Sequence, residues 1–311
     1  MSVAMLDEWL RAIIAPFGWS TFDVYPMIAV ILVGLACGLV GSLVVGNRMA
    51  FFSDAMAHTA FAGVGIAILG IVLATGATQA KQIDEYLWLV PIVTAVIGAG
   101  VGIAMVAVRE QTDLTNDTVI GVFFALSIGL AGMLLPQLPR GTDPDQLLFG
   151  SLVFVNVRDL LILAVLVTVT AGVVSWRYNG MVFGSFNESL TRSRGVPLRT
   201  NNYLFVVLLA LVVNLSITVV GVLLINALLV VPAAAAANLA RNLRQFFWLT
   251  VMGSVGAAVV GFQLSKHVAV PVGSGRVLEF GPGGTIVVCC VAWFFVTMLG
   301  TILRRKSQFA K

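Results

Sequence analysis

Residues 25–45 read YPMIAVILVGLACGLVGSLVV, and none of their side chains is charged. An α-helix of about 20 apolar residues crosses the hydrocarbon core of a bilayer, so this stretch is long enough for one crossing. A helix also pairs its backbone amides within its own segment, which is required where there is no water to bond them. The stretch therefore predicts a transmembrane helix.

Similar stretches recur through the 311-residue chain, of which 59% is hydrophobic and 10% is charged. Soluble domains carry about 25% charged residues, so this composition cannot cover a water-exposed surface. We predict an all-α fold, a polytopic bundle of eight or nine transmembrane helices that forms a single domain over residues 1–311. The candidate spans are roughly 25–45, 53–74, 87–108, 118–136, 159–176, 203–218, 219–238, 245–266 and 284–303.

Two segments leave alternatives open. The pair of spans at 203–238 contains Gly221 and Pro232, so it predicts either two short spans or one broken helix with a re-entrant piece. In residues 1–20, apolar side chains recur at helical spacing up to Pro16. This spacing predicts a short interfacial helix, and a poorly ordered terminus is the alternative.

The basic residues predict the orientation of the chain. With the loop after the first span in the cytoplasm, twelve Lys and Arg residues lie on the cytoplasmic side and six on the other. This excess is the positive-inside pattern, and it predicts a cytoplasmic C-terminus and, with nine spans, an external N-terminus. The twelve are Arg48, Arg109, Arg177, Arg192, Arg194, Arg199, Arg241, Arg244, Arg304, Arg305, Lys306 and Lys311.

Several function classes lack their motifs in this sequence. No GxxxxGK[ST], GxSxG or HExxH occurs, so we expect neither a P-loop ATPase nor another enzyme. Cys37, Cys289 and Cys290 lie in apolar stretches without a CxxC pair, which indicates packing residues. The net charge of +4 comes from short loops between spans, so the expected surroundings are lipid and not nucleic acid.

Asp54 and His58 are the most informative polar residues, because they lie within the apolar stretch FFSDAMAHTAFAGVGIAILG. Their spacing of four places them on one helix face, and an ionisable residue inside a span usually marks a pathway. A carboxylate with an imidazole suits Zn²⁺, Mn²⁺ or Fe²⁺. The alternative is that Asp54 caps its helix and reaches the headgroups. His267, beside Lys266, is expected to be an interfacial residue.

Two ligands are too few for a metal site, so we predict that a symmetric dimer supplies two Asp and two His side chains. Small residues at four-residue spacing let helix backbones approach closely, and we expect one such stripe to let another helix come close. That stripe is Ala55–Thr59–Gly63–Ala67.

A polar loop at 177–202 reads RYNGMVFGSFNESLTRSRGVPLRTNN. Ser185 and Glu188 form a capping box, which predicts the start of a helix, and Gly195 with Pro197 predicts its end. The loop is therefore expected to carry a short cytoplasmic helix over roughly 186–194, for contact with a partner or with anionic lipid. A lesser polar stripe, Asn214, Ser216, Thr218 and Asn226, predicts interhelical hydrogen bonds or the lining of a translocation path.

Four segments together resemble the permeases of the metal-specific ABC importers, the zinc, manganese and iron uptake family. RMAFFSDAMAHTAFAGVGIA at 48–67 is similar to the family's Asp-x-x-x-His signature, and the other three segments follow in family order. The resemblance covers about residues 25–303. The other three segments are NDTVIGVFFAL at 116–126, LLFGSLVFVNVRDLLIL at 147–163 and GVLLINALLVVPAAAAANLA at 221–240.

The resemblance implies an ABC importer permease fold in a bacterial plasma (inner) membrane. It implies a homodimer that binds two cytoplasmic ATPase subunits and receives metal from an extracytoplasmic binding protein. It carries the metal ligands onto Asp54 and His58, and the coupling helix onto 186–195 with Glu188 and Gly195. No permanently bound cofactor is expected, since the metal is cargo. An ATPase-independent transporter or channel is the alternative, and the outer loop 267–282 looks longer than the family's usual short turn.

Overall fold

The computed structural model describes residues 21–76, 84–112, 114–138, 152, 155–186, 197–272 and 276–309. Two predicted features fall outside these ranges. They are the interfacial helix in 1–20 and, apart from Phe186, the coupling helix at 186–194 together with Glu188 and Gly195.

Nine long α-helices account for most of the described residues, which confirms the all-α prediction. Each contains a window apolar and long enough to cross a membrane. They are α1 (Thr21–Gly46), α2 (Ala50–Thr75), α3 (Val90–Gln111), α4 (Asn116–Leu134), α5 (Val157–Phe186), α6 (Leu198–Val220), α7 (Val222–Leu239), α8 (Leu243–His267) and α9 (Pro282–Phe309).

An antiparallel hairpin lies in the long loop before α9. Its strands are β1 (Ala269–Val272) and β2 (Arg276–Glu279), paired with Ala269 opposite Glu279. The β-branched residues in both strands favour extended backbone. The hairpin occupies the 267–282 loop, which is longer than the short turn expected from the family resemblance.

The polar loop before α6 is shorter than the sequence predicts. Helix α5 continues to Phe186, ten residues beyond the predicted end of the span at 176, and α6 begins at Leu198. Position 185, where the predicted capping box begins, therefore lies in the last turn of α5.

The break between α6 and α7 decides the ambiguous pair at 203–238. A single residue, Gly221, separates the two helices, with φ of 82° and ψ of 162°. Only glycine adopts this region of backbone conformation without strain. The helix on either side is long and apolar enough to cross a membrane, so the described chain has two candidate spans here in place of one broken helix.

An ion pair between Lys266 Nζ and Asp23 Oδ1 joins α1 and α8. Asp23 lies in the first turn of α1 and Lys266 in the last turn of α8. The start of α1 and the end of α8 therefore lie side by side.

The chain divides into two compact units. The first contains residues 1–45, 149–172 and 219–311, and the second contains 46–148 and 173–218. In both units, large apolar side chains point outward; for example, the exposed fractions are 77% for Leu73 and 70% for Met252. Such surfaces are expected where hydrocarbon surrounds the helices.

Close helix contacts through glycine shape the first unit. A Cβ on Gly38 would lie 2.8 Å from the Cα of Val251 in α8, and a Cβ on Gly41 would collide with the carbonyl oxygen of Leu229 in α7. Gly38 and Gly41 of α1 therefore allow α1 to pack closely against α8 and α7. Van der Waals packing of this kind replaces the hydrophobic drive that is missing between helices in lipid.

Glycine shapes the second unit in the same way. A Cβ on Gly63 of α2 would lie 2.8 Å from Cγ2 of Thr94 in α3. Further along α3, a Cβ on Gly98 would collide with the side-chain amide of Asn214 in α6. Helix α3 therefore packs closely against α2 at Gly63 of α2, and against α6 at its own Gly98.

Candidate metal site

Asp54 and His58 lie on α2, within the second compact unit. The helix starts at Ala50, and its N-cap residue is Met49, whose side chain makes no capping hydrogen bond. Asp54 is thus one turn inside the helix and is not its N-cap residue. Both Asp54 and His58 are partly buried.

Two phenylalanine rings surround the imidazole of His58. The Phe124 ring of α4 meets it edge to face, with centroids 4.8 Å apart and an interplanar angle of 85°. The Phe61 ring, one turn along α2, lies 5.9 Å away at 44°. Edge-to-face rings attract each other through their quadrupoles, so these contacts restrict the orientation of the imidazole.

A hydroxyl pair beside His58 joins α2 to α4. Thr59 Oγ1 donates to the carbonyl oxygen of Ala55 at 2.9 Å, and lies 2.9 Å from Ser127 Oγ. A hydroxyl carries one proton, so with that of Thr59 on Ala55, Ser127 is the donor to Thr59. Thr59 and Ser127 are only 1% and 3% exposed. The pair is therefore a buried, fully satisfied interhelical hydrogen bond.

The same two helices meet again about two turns further along. A Cβ on Gly65 of α2 would lie 3.0 Å from the Cβ of Leu134 in α4. Gly65 follows Thr59 by six residues, and Leu134 follows Ser127 by seven. Helices α2 and α4 thus run in the same direction, and the Thr59–Ser127 bond and the Gly65–Leu134 contact both join them.

The stripe Ala55–Thr59–Gly63–Ala67 does let other helices come close, as predicted. Thr59 bonds Ser127 of α4 and Gly63 packs on Thr94 of α3. All four stripe residues are buried in the described chain. The helices that approach the stripe are thus α3 and α4 of the same chain.

Within the described residues, no group of three or more His, Cys, Asp and Glu side chains could hold a metal ion. Asp54 and His58 thus have no third ligand of these types from the described chain. His267, at the last position of α8, is exposed next to the ion-paired Lys266.

The polar stripe of α6 bonds differently from the prediction of interhelical bonds. The Nδ2 of Asn214 donates to Ala210 O at 2.7 Å, and Thr218 Oγ1 donates to Leu215 O at 3.1 Å, both within α6. Asn214 is fully buried, and its Oδ1 has no hydrogen-bond partner among the described residues.

A charged cluster that sequence reasoning missed joins α3 and α6. Arg199 Nε donates to Glu110 Oε2 at 2.7 Å, and the Tyr203 hydroxyl donates to the same oxygen at 3.1 Å. Glu110 is next to last in α3, and Arg199 and Tyr203 lie in the first turns of α6. Glu110 and Arg199 are 89 residues apart, so no local spacing could have revealed the pair. The cluster connects the end of α3 to the start of α6.

Comparisons with known proteins relate the whole bundle to one group of membrane proteins. The model of a family described as the ABC 3 transport family matches residues 22–301. A probable metal transport system membrane protein of Treponema pallidum is 30% identical over 286 residues, covering 90% of this chain and 96% of the relative.

Two further relatives carry metal names. The manganese transport system membrane protein MntC of Listeria innocua is 25% identical over 283 residues, covering 91% of this chain and 93% of the relative. The high-affinity zinc uptake system membrane protein ZnuB of Haemophilus influenzae is 27% identical over 271 residues, covering 86% and 93%.

One solved structure shares the fold over nearly the full length. It is PsaBC from Streptococcus pneumoniae in complex with Fab, with a TM-score of 0.72 and 23% sequence identity. The match covers 93% of this chain and 95% of the other. The similarity confirms the predicted fold, a bundle of long α-helices.

Proposed function

This chain belongs to the ABC 3 transport family, and on that basis we propose that it is the membrane-spanning permease of an ATP-driven importer for divalent transition-metal ions. The observation that supports this most directly is the Asp54–His58 pair, which occupies the second and third turns of an apolar helix. Relatives named for manganese and for zinc both match over about nine-tenths of the chain. Membership of an ABC family argues against the alternative of a transporter that needs no ATPase.

ATP hydrolysis is assigned to a separate subunit, because the sequence contains no P-loop. We place its contact on the cytoplasmic side, at the segment 186–195 between α5 and α6. The excess of basic residues supports this orientation, with the C-terminus cytoplasmic in the bacterial plasma membrane. On the opposite side, the loop containing β1 and β2 would face an extracytoplasmic metal-binding protein.

The metal site requires a second copy of the chain. A carboxylate and an imidazole from each copy give four ligands, a complete set for Zn²⁺ and a partial one for Mn²⁺ or Fe²⁺. A two-fold axis would place the same face of α2 from both copies together. Since the site must release its cargo, no permanently bound ion is required at Asp54 and His58.

The two side chains have distinct tasks in this proposal. Asp54 supplies negative charge, which lowers the cost of bringing a divalent cation into the apolar bundle. His58 supplies a neutral nitrogen ligand, which favours transition metals over Mg²⁺ and Ca²⁺. The pair therefore selects ions by ligand type as well as by charge.

The test is metal uptake by cells that lack their own copy of the gene and express variants of this chain. Asp54→Asn keeps the size and hydrogen bonding of the side chain and removes its charge, so uptake of Mn²⁺ or Zn²⁺ should be lost. Asp117→Asn is the matched control, because Asp117 is an exposed carboxylate in the first turn of α4. Uptake by Asp54→Asn at the rate of the control would show that Asp54 is not part of the pathway.

A further inference from the structure

The contacts between α2 and α4 set the position of His58. Phe124 and Ser127 lie one turn apart on α4, and they touch His58 and Thr59, which are consecutive on α2. These two neighbouring contacts restrain the rotation of α2 about its own axis and the orientation of the His58 ring. We propose that Phe124 and Ser127 are positioning residues that hold the His58 imidazole ready to bind the transported cation; this rests on the metal role proposed for His58.

Positioning matters here because an imidazole must present one of its nitrogens to the ion. A metal ligand usually has its ring orientation set by a hydrogen bond from its second nitrogen. At His58 the contacts that restrict the ring are aromatic: Phe124 on α4 and Phe61 on its own helix. A ring already held in one orientation loses less conformational freedom on binding an ion, so the affinity for the ion is higher.

Ser127 affects His58 indirectly, through its hydrogen bond to the neighbouring residue Thr59. Because Thr59 already donates to Ala55, Ser127→Ala leaves no buried group of Thr59 without a partner. The variant removes one bond between α2 and α4 and little else. Helix α2 can then turn slightly relative to Phe124, and the ring contact with His58 loosens.

The experiment measures how uptake by the complete importer depends on the external concentration of Mn²⁺ and, in parallel, of Zn²⁺. Phe124→Leu should raise the half-saturating concentration about twofold to tenfold, as expected for loss of one aromatic contact. Ser127→Ala should raise it about threefold. The maximal rate should change less than the half-saturating concentration, and Ser127→Thr, which keeps the hydroxyl, should restore the unmodified value.

Phe123→Leu is the matched control for Phe124→Leu. Phe123 is also partly buried on α4, and it projects about 100° around the helix from Phe124. A role of Phe124 in packing alone predicts that both variants behave alike, with lower protein levels and an unchanged half-saturating concentration. That result would overturn the proposal.

Equilibrium binding of Mn²⁺ to the purified full chain separates the positioning role from the metal role of His58. If Phe124 acts through His58, the variant His58→Ala/Phe124→Leu should bind Mn²⁺ as weakly as His58→Ala and no more weakly. Additive losses would refute the positioning role while leaving His58 as a ligand. Unchanged binding by His58→Ala would refute the metal role of His58, and the positioning role with it.

Discussion

The hydroxyl of Ser254 in α8 donates to the carbonyl oxygen of Leu228 in α7 at 3.2 Å, and this is the carbonyl that Pro232 leaves without a helical partner. In a helix the amide of residue 232 would bond the carbonyl of residue 228, but proline has no amide hydrogen. Ser254 is fully buried, so its hydroxyl replaces the missing donor inside the first compact unit.

This relationship predicts a compensating pair of substitutions. Ser254→Ala should destabilise the protein by about 1–2 kcal/mol, because a buried carbonyl loses its donor. Adding Pro232→Ala should recover much of that loss, since an alanine at position 232 would supply a backbone amide to Leu228. Thermal unfolding of the purified variants in detergent measures both effects. Equal destabilisation of the single and double variants would show that the carbonyl is not what Ser254 stabilises.

Alanine substitution should destabilise the protein at Gly98 but not at Gly100. A Cβ at position 98 would collide with the Asn214 amide, whereas nothing lies within 4 Å of a Cβ at position 100 in the described part of the chain. Gly98→Ala should therefore cost about 1–3 kcal/mol through overpacking, and Gly100→Ala should be neutral or slightly stabilising. Detergent unfolding temperatures compare the two. The double variant Gly98→Ala/Asn214→Ala should regain stability if the amide is the obstacle.

Cysteine labelling tests the orientation of the chain. In a variant whose three native cysteines are replaced, single cysteines at Thr78 and Gly141 should react with a membrane-impermeant thiol reagent in intact cells. A cysteine at Ser189 should react only after the membrane is opened. The expectation follows from the twelve-to-six distribution of Lys and Arg. The reverse labelling pattern would invert the orientation and remove 186–195 from the ATPase side.

The segment 186–195 should couple ATP hydrolysis to transport. Reversing the charge of Glu188, or replacing Gly195 with valine, should weaken association with the ATPase subunit or uncouple hydrolysis from uptake. Gly195 follows the predicted helix at a position where glycine commonly adopts a left-handed backbone, which a β-branched residue resists. Co-purification of the ATPase and metal uptake are the two measurements. Normal values for both variants would place the docking surface elsewhere.

The type of the helices could be read from the sequence, and their number to within one. Each span is a run of apolar residues longer than most soluble helices, and hydrocarbon leaves helix as the only way to pair its backbone. The Asp54–His58 pair was visible for the same reason, because charged groups are rare in such runs. The bounds were less accurate at α5, which continues ten residues beyond the predicted end of its span at 176.

Contacts between helices could not be read from the sequence, because lipid and protein neighbours favour the same apolar surfaces. The stripe Ala55–Thr59–Gly63–Ala67 indicated a close approach but not its partner, and tertiary structure assigned it to α3 and α4 of the same chain. The bonds from Ser127 to Thr59 and from Ser254 to Leu228 connect residues 68 and 26 positions apart. The sequence by itself determined which segments enter the membrane and which polar residues enter with them. Only the tertiary structure decided which helix each polar group meets, because that choice depends on shape and hydrogen-bond geometry between distant segments.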